Sequence, residues 1–262
     1  MLTWLYVPGD RPDRFAKAVA SGADAVILDL EDAVHPDRKD FARDAVADFC
    51  ASPHQVPVEV RIAAPADLDV VGDLPGVAAI RVPKVESALE LAALATERPL
   101  HCLLESALGV ECAYDIARAP GVASIGLGES DLRSDLRVHG DDGLAYARGR
   151  VVLAARAAGL RPPAMSVYPH VRDLNGLAAS CRAGRALGFR GRAAIHPAQL
   201  PVIVEAFRPT SNEVAAAESL LAGLAAAEVA GQAVTVLPDG RFADPAMVAE
   251  ARDIVDLAQR LR

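Results

Sequence analysis

Short apolar runs rich in Val, Ile or Leu alternate along this chain with longer Ala-rich stretches whose apolar positions recur at helical spacing. The runs predict strands at 3–7, 25–30, 58–62, 79–82, 100–104, 124–127, 164–167 and 193–195. The stretches between and after them predict helices near 12–21, 36–50, 66–72, 86–97, 107–118, 143–158, 173–188 and 198–206, with Asp173 placed to cap one of them. Eight βα units predict an α/β fold closed as a TIM (β/α)8-type barrel over residues 1–208. An open doubly wound sheet is the competitor, and it is disfavoured because no G-x-G-x-x-G follows the first strand. From 209 to 262 the rhythm changes to a helix near 211–230, a Gly-flanked hairpin over 232–242 and a last helix after Asp244-Pro245. That C-terminal helical and hairpin extension is too short for a substantial core of its own, and it is expected to be a lid or an inter-subunit arm.

In such a barrel the reactive groups sit where strands end, so the residues closing each apolar run carry the chemistry. The predicted strands end in turn in Pro8-Gly9-Asp10-Arg11, Asp29-Leu30-Glu31-Asp32, Arg61, Pro83-Lys84, Glu105, Gly128-Glu129-Ser130-Asp131, Tyr168 and His196-Pro197. Glu105 and Asp131 are one βα unit apart, which brings two carboxylates from adjacent strands to one mouth and suits Mg2+, an ion that takes one or two carboxylates and completes its shell with water and substrate oxygens. Glu31 and Asp32 are placed to hold those waters. A single strand-end acid is more simply a helix cap or a partner for Arg61 or Lys84; acids at three strand ends together favour the ion. Arg61 offers a planar fork of donors to a carboxylate or a developing enolate oxygen, and a salt bridge to Glu31 or Asp32 is compatible with that role. Lys84 is expected to neutralise the acids. His196 reads as a structural donor, and Arg133, Arg137 and His139, diluted by Asp135, Asp141 and Asp142, read as a solvated loop.

Composition narrows the choice of partner. With 35 Asp+Glu against 27 Lys+Arg the net charge is −8, so the chain lacks the basic footprint that nucleic acid requires. The four cysteines have no paired C-x-x-C spacing, which suits a reducing compartment. Residues 1–5 lack the basic and apolar regions of a signal peptide, and no uncharged apolar run reaches a membrane span of about 18 residues. A soluble, cytoplasmic protein with no membrane partner is expected.

The segments Val7-Pro8-Gly9-Asp10-Arg11-Pro12-Asp13-Arg14-Phe15, Ala25-Val26-Ile27-Leu28-Asp29-Leu30-Glu31-Asp32-Ala33-Val34, Val60-Arg61-Ile62, Pro83-Lys84-Val85-Glu86-Ser87 and Ile195-His196-Pro197-Ala198-Gln199 recur in this order in a known family. Through them the chain resembles, over nearly its whole length, the citrate lyase beta-subunit-like family of the HpcH/HpaI aldolase superfamily, which includes malyl-CoA and citramalyl-CoA lyases. The resemblance implies a TIM-like barrel, Mg2+ held by Glu105 and Asp131, and Arg61, with Glu105, binding the oxo-acid part of the substrate. It also implies that Asp244 is an acid/base supplied by an adjacent subunit of a homo-oligomer, a trimer or hexamer; from the sequence itself Asp244-Pro245 reads as a helix N-cap followed by Pro at the first helical position. Three motifs depart from the family pattern: Ala63 replaces an Asn, Leu108 replaces an Arg, and Glu129-Ser130 stands where Ala-Glu is common. The implied reaction is reversible cleavage of a 3-hydroxyacyl-CoA to an acyl-CoA and a 2-oxo acid. The alternatives are a CoA-independent type II aldolase acting on free 2-oxo acids and a noncatalytic binding subunit.

Overall fold

The computed structural model describes residues 1–232, 234–237, 240 and 242–261. They form two compact units, Met1–Phe207 and Arg208–Arg262. In the first, β1 (Thr3–Pro8), β2 (Ala25–Asp29), β3 (Val58–Arg61), β4 (Val77–Val82), β5 (Leu100–Leu104), β6 (Val122–Leu127) and β7 (Arg192–Ala194) build one parallel sheet in the order β6-β5-β4-β3-β2-β1-β7. Parallel neighbours need crossover connections, and helical segments supply them. The result is a curled α/β half-barrel consistent with a TIM-like barrel.

Strand parity decides what the sheet presents. Leu5, Val7, Val60, Ile80, Cys102 and Leu104 are buried in the apolar core. Their alternate neighbours Tyr6, Arg61, Arg81, His101, Leu103 and Glu105 line a cavity on the other face. Central β2 is buried along its whole length, as the continuous run Ala-Val-Ile-Leu-Asp requires.

Three expectations need correction. The strand expected at 164–167 reduces to one bridge, Met165 with Arg192, because Pro162 and Pro163 just before it bring no N–H to a ladder. The last barrel strand is shifted by one residue, to Arg192–Ala194. The expected loop holding Arg133 begins instead as a helix, Glu129–Leu136, whose first turn carries Glu129 and Asp131, a charge placement that favours a helix start. Several expected helices are also shorter: 86–97 contains only Ala88–Ala92, and 107–118 is split at Cys112 into Ala107–Glu111 and Ala113–Ala117.

The second unit holds a helix, Ser211–Val229, a two-stranded antiparallel pairing of β8 (Thr235–Val236) with β9 (Phe242–Ala243), and a helix, Val248–Arg260. Thr210 and Glu213 exchange side-chain to backbone hydrogen bonds and fix the start of the first helix. Ala217, Leu220, Leu237, Ala243 and Ala251 form a small buried cluster there. Of the stretch expected as a hairpin, positions 233, 238, 239 and 241 lie outside the described residues. Among the described residues no helix is long and apolar enough to cross a membrane.

Candidate active site

Arg61 leaves the end of β3 beside Asp29 at the end of β2, their backbones in register. Its Nε donates to Asp29 Oδ1 at 2.7 Å and its Nη2 to Oδ2 at 2.6 Å, a two-point fork that fixes the guanidinium plane. Nη1 lies 2.7 Å from Glu31 Oε2 and 3.8 Å from Asp32. The ring of Tyr6 stacks beneath, 5.2 Å from the guanidinium carbon. Burial works to lower the Arg61 pKa, but Asp29 outweighs it and holds the group well above its ordinary value. The expected partners were Glu31 and Asp32; the main partner is Asp29, which is 1% exposed and also accepts from the N–H groups of Glu31 and Ala33. That lone inward acid ending an apolar strand was the available signal.

Lys84 Nζ lies 2.5 Å from Glu31 Oε1 and 3.6 Å from Asp32 Oδ1, the neutralising placement expected of it. Its backbone is left-handed at φ 54°, unusual for a side chain of this kind, and its N–H donates to Glu105 Oε2 at 3.1 Å. Glu105 and Asp131 face the same cavity, and among the described residues no Arg or Lys side chain forms a salt bridge with either. Around this rim Asp29, Glu31, Asp32, Glu105 and Asp131 set five carboxylates against the two cations Arg61 and Lys84. Burial, then the charges of Glu31 and Asp131, push the Glu105 carboxyl up to about 8. Glu31 Oε2 is buried, and its approach to Arg61 is out of line for a hydrogen bond, so that oxygen lacks a well-aligned donor. These observations describe a pocket short of positive charge. Among the described residues no three His, Cys, Asp or Glu side chains form a chelating group, so the donors on offer are two carboxylates with room for water and ligand oxygens.

Gly128 closes this site from the β6 side. A Cβ there would overlap the Glu105 carboxylate, while its φ of −93° leaves the backbone itself suited to alanine. Gly128→Ala is therefore expected to displace Glu105 without unfolding the chain, weakening divalent-ion affinity at least tenfold at unchanged melting temperature; calorimetric titration with Mg2+ measures it.

The remaining candidates have local roles. His196 is exposed and its Nδ1 accepts from the N–H of Ala198, capping the short turn Pro197–Gln199. Arg133 pairs with Asp141, and Arg148 forks onto Glu129 at 2.8 and 2.7 Å, so the departure that placed a Glu at 129 gives that acid a structural partner. Leu108 is 55% exposed, and the N–H groups of Ala63 and Ala64 donate to Asp67. Asp244 belongs to the second unit, where it accepts from the N–H of Ala246 at 2.8 Å as the N-cap of Pro245–Met247. Burial pushes the thiols of Cys50 and Cys102 up to about 12, holding them unreactive.

Below the rim lies a second polar group that the sequence reading missed. Glu59 Oε1 accepts from Trp4 Nε1 at 3.0 Å, Glu59 Oε2 accepts from Arg81 Nε at 3.1 Å and Nη2 at 2.5 Å, and His101 Nδ1 lies 3.0 Å from that same oxygen. Burial opposes ionisation of Glu59, yet Arg81 and His101 prevail and hold its carboxyl at about 2. The signal was parity: Glu59 shares a strand face with Arg61, and His101 with Glu105.

A curled parallel α/β sheet with an acid-rich rim at its strand ends defines a class of barrel-like enzymes. Within it, this chain belongs to the HpcH/HpaI aldolase/citrate lyase family, which matches residues 2–197. It is 35% identical over 277 positions to a (3S)-malyl-CoA thioesterase of Cereibacter sphaeroides, covering 98% of this chain and 94% of that protein. It is 38% identical over 232 positions to a citrate lyase subunit beta-like protein of Mycobacterium tuberculosis, covering 84% of this chain and 83% of that one. Among solved structures it resembles the Mycobacterium tuberculosis CitE in complex with magnesium, acetoacetate and coenzyme A, at a TM-score of 0.80 and 32% identity over 98% of both chains.

Proposed function

We propose that this protein is a Mg2+-dependent carbon–carbon lyase that cleaves, or forms, a 3-hydroxyacyl-CoA such as malyl-CoA or citramalyl-CoA, with an acyl-CoA and a 2-oxo acid as the other partners. The observation that carries the reading is the pair of carboxylates without salt-bridge partners, Glu105 and Asp131, on one cavity beside a fixed guanidinium. Those two would hold the ion, with Glu31 and Asp32 holding its waters. The magnesium and coenzyme A bound by the CitE relative support this assignment. Bound Mg2+ would supply Lewis acidity, easing passage of the substrate's hydroxyl proton to water and polarising the carbonyl that replaces the hydroxyl.

Arg61, held by Asp29, presents a stationary positive charge to the oxo-acid carboxylate, and Glu105 lies against the same part of the substrate. As the bond between the carbinol carbon and the thioester α-carbon breaks, its electron pair passes to the thioester as an enolate, whose charge Arg61 balances. Asp244, supplied by an adjacent subunit of a trimer or hexamer, gives a proton to that α-carbon in cleavage, regaining one from water, and takes it in the reverse direction; a carboxylate is a weak base, so its correct placement is the greater part of its contribution. The cavity of about 420 Å3 has room for the oxo acid and the thioester end of the substrate, so the CoA nucleotide lies outside it.

A second reading is favoured by the relative named malyl-CoA thioesterase: water attacks the thioester carbonyl and releases the free hydroxy acid and CoA thiol. Malyl-CoA with Mg2+ separates the two. The lyase is expected to yield glyoxylate, trapped as its phenylhydrazone, in step with substrate loss and with no free thiol. Thiol without glyoxylate would establish hydrolysis, and no product of either kind would leave a binding subunit.

A further inference from the structure

The cavity does not stop at the rim. Barrels of this type are normally filled by layers of bulky branched side chains. Here the small residues Ser124, Gly126, Ala164 and Ala193 stand among the larger Leu103, Met165 and Val167, and the space runs inward to Trp4, Tyr6 and His101. His101 lies four residues before Glu105 on the same face of β5, about 10 Å deeper at 3.3 Å per residue in a strand tilted by about 36°. The cavity, about 420 Å3, exceeds what a two- or three-carbon oxo acid held at Arg61 would fill.

The walls of the inner space select its occupant. Tyr6 and Ser124 line it, and among the described residues neither hydroxyl makes a protein hydrogen bond. Burial raises the Tyr6 phenol above its ordinary value, so it remains a neutral hydroxyl able to donate. An apolar tail would leave both groups dry and unmatched. The charge of Arg81 is already spent on Glu59, whose two oxygens accept from Trp4 and Arg81, so a carboxylate tail would bring a buried charge with no free counter-ion. We infer that the inner cavity is a subsite for the neutral, hydroxyl-terminated tail of a 2-oxo acid of about five carbons, with Tyr6 and Ser124 as specificity-determining partners. The inference rests on the proposed oxo-acid site at the rim and names the substrate class that the site takes.

Calorimetric titration of the full-length, Mg2+-loaded protein with four probes tests it: glyoxylate, 2-oxopentanoate, 5-hydroxy-2-oxopentanoate and 2-oxoglutarate. The hydroxylated acid is expected to bind about tenfold more tightly than 2-oxopentanoate, the worth of one good hydrogen bond, and 2-oxoglutarate more weakly than the hydroxylated acid. In Ser124→Ala and Tyr6→Phe, the ratio of the two five-carbon monoacids, measured within each protein, is expected to fall toward one. Equal binding of those two acids to the wild type, or tightest binding of 2-oxoglutarate, would overturn the subsite, as would a ratio unmoved in both variants. Binding of glyoxylate with no binding of any five-carbon acid overturns the subsite alone. Binding of none of the four overturns the rim reading and the subsite together.

Discussion

Glu105→Gln is expected to lower Mg2+ affinity by at least two orders of magnitude, because it removes a negative ligand where even outer contacts of a metal site are worth 10- to 100-fold. Titration calorimetry at pH 8 measures this, and wild-type affinity in the variant would refute the ligand assignment. The wild type should carry a pH signature that the variant lacks. The Glu105 carboxyl is pushed up to about 8, so below that pH the ion must displace a proton. Affinity is therefore expected to climb about tenfold per pH unit between pH 6 and 8 and to level off above, with close to one proton released on binding at the low end. Stability of the metal-free protein should move the other way. The folded value lies above the ordinary 4.5, so the protonated side chain is what the fold favours; its contribution is complete below about pH 4.5 and is lost as the pH rises through about 8. The melting temperature of metal-free wild type should fall across that window, whereas Glu105→Gln, with nothing there to ionise, should stay level.

Why Glu105 was legible and Glu59 was not is a matter of where each sits in its strand. Glu105 follows the run Leu-His-Cys-Leu-Leu, and an acid just past an apolar run stands out. Glu59 is embedded in Val-Glu-Val-Arg, where the same alternation could equally describe a strand with one solvated face; only the curl of the sheet makes that face an interior. The pairing of Arg61 with Asp29 needed the register between β2 and β3, which tertiary structure sets. The strand expected at 164–167 failed for a local reason visible in the sequence, since Pro162-Pro163 weakens any ladder at its start. Helix 129–136 was missed because its middle, Ser-Asp-Leu-Arg-Ser-Asp, lacks an apolar stripe. It is held instead by acids at its N-terminus and by the fork of Arg148 on Glu129, contacts between segments far apart in the chain.

Arg61 links stability to chemistry, and its replacements should separate the two. In Arg61→Ala the Asp29 carboxylate, 1% exposed, is left without its counter-ion, while Glu31 keeps Lys84. Removing one partner of a buried pair costs about 3–5 kcal/mol, which for a unit of this size is a fall of about 10 °C in melting temperature. Adding Asp29→Asn removes the stranded charge, so the double variant should recover a large part of that loss in thermal unfolding while remaining without activity. Arg61→Lys asks a narrower question. An ammonium keeps the charge but has no planar fork, so it can satisfy Asp29 or face the substrate, not both in fixed geometry. Its kcat/KM for malyl-CoA cleavage is expected to fall about 10²- to 10³-fold, the range seen when one preorganised donor to a developing oxyanion is removed. A lysine variant with wild-type kcat/KM would show that charge alone suffices. The two-point clasp of Asp29 on Arg61 would then serve the fold and not the reaction.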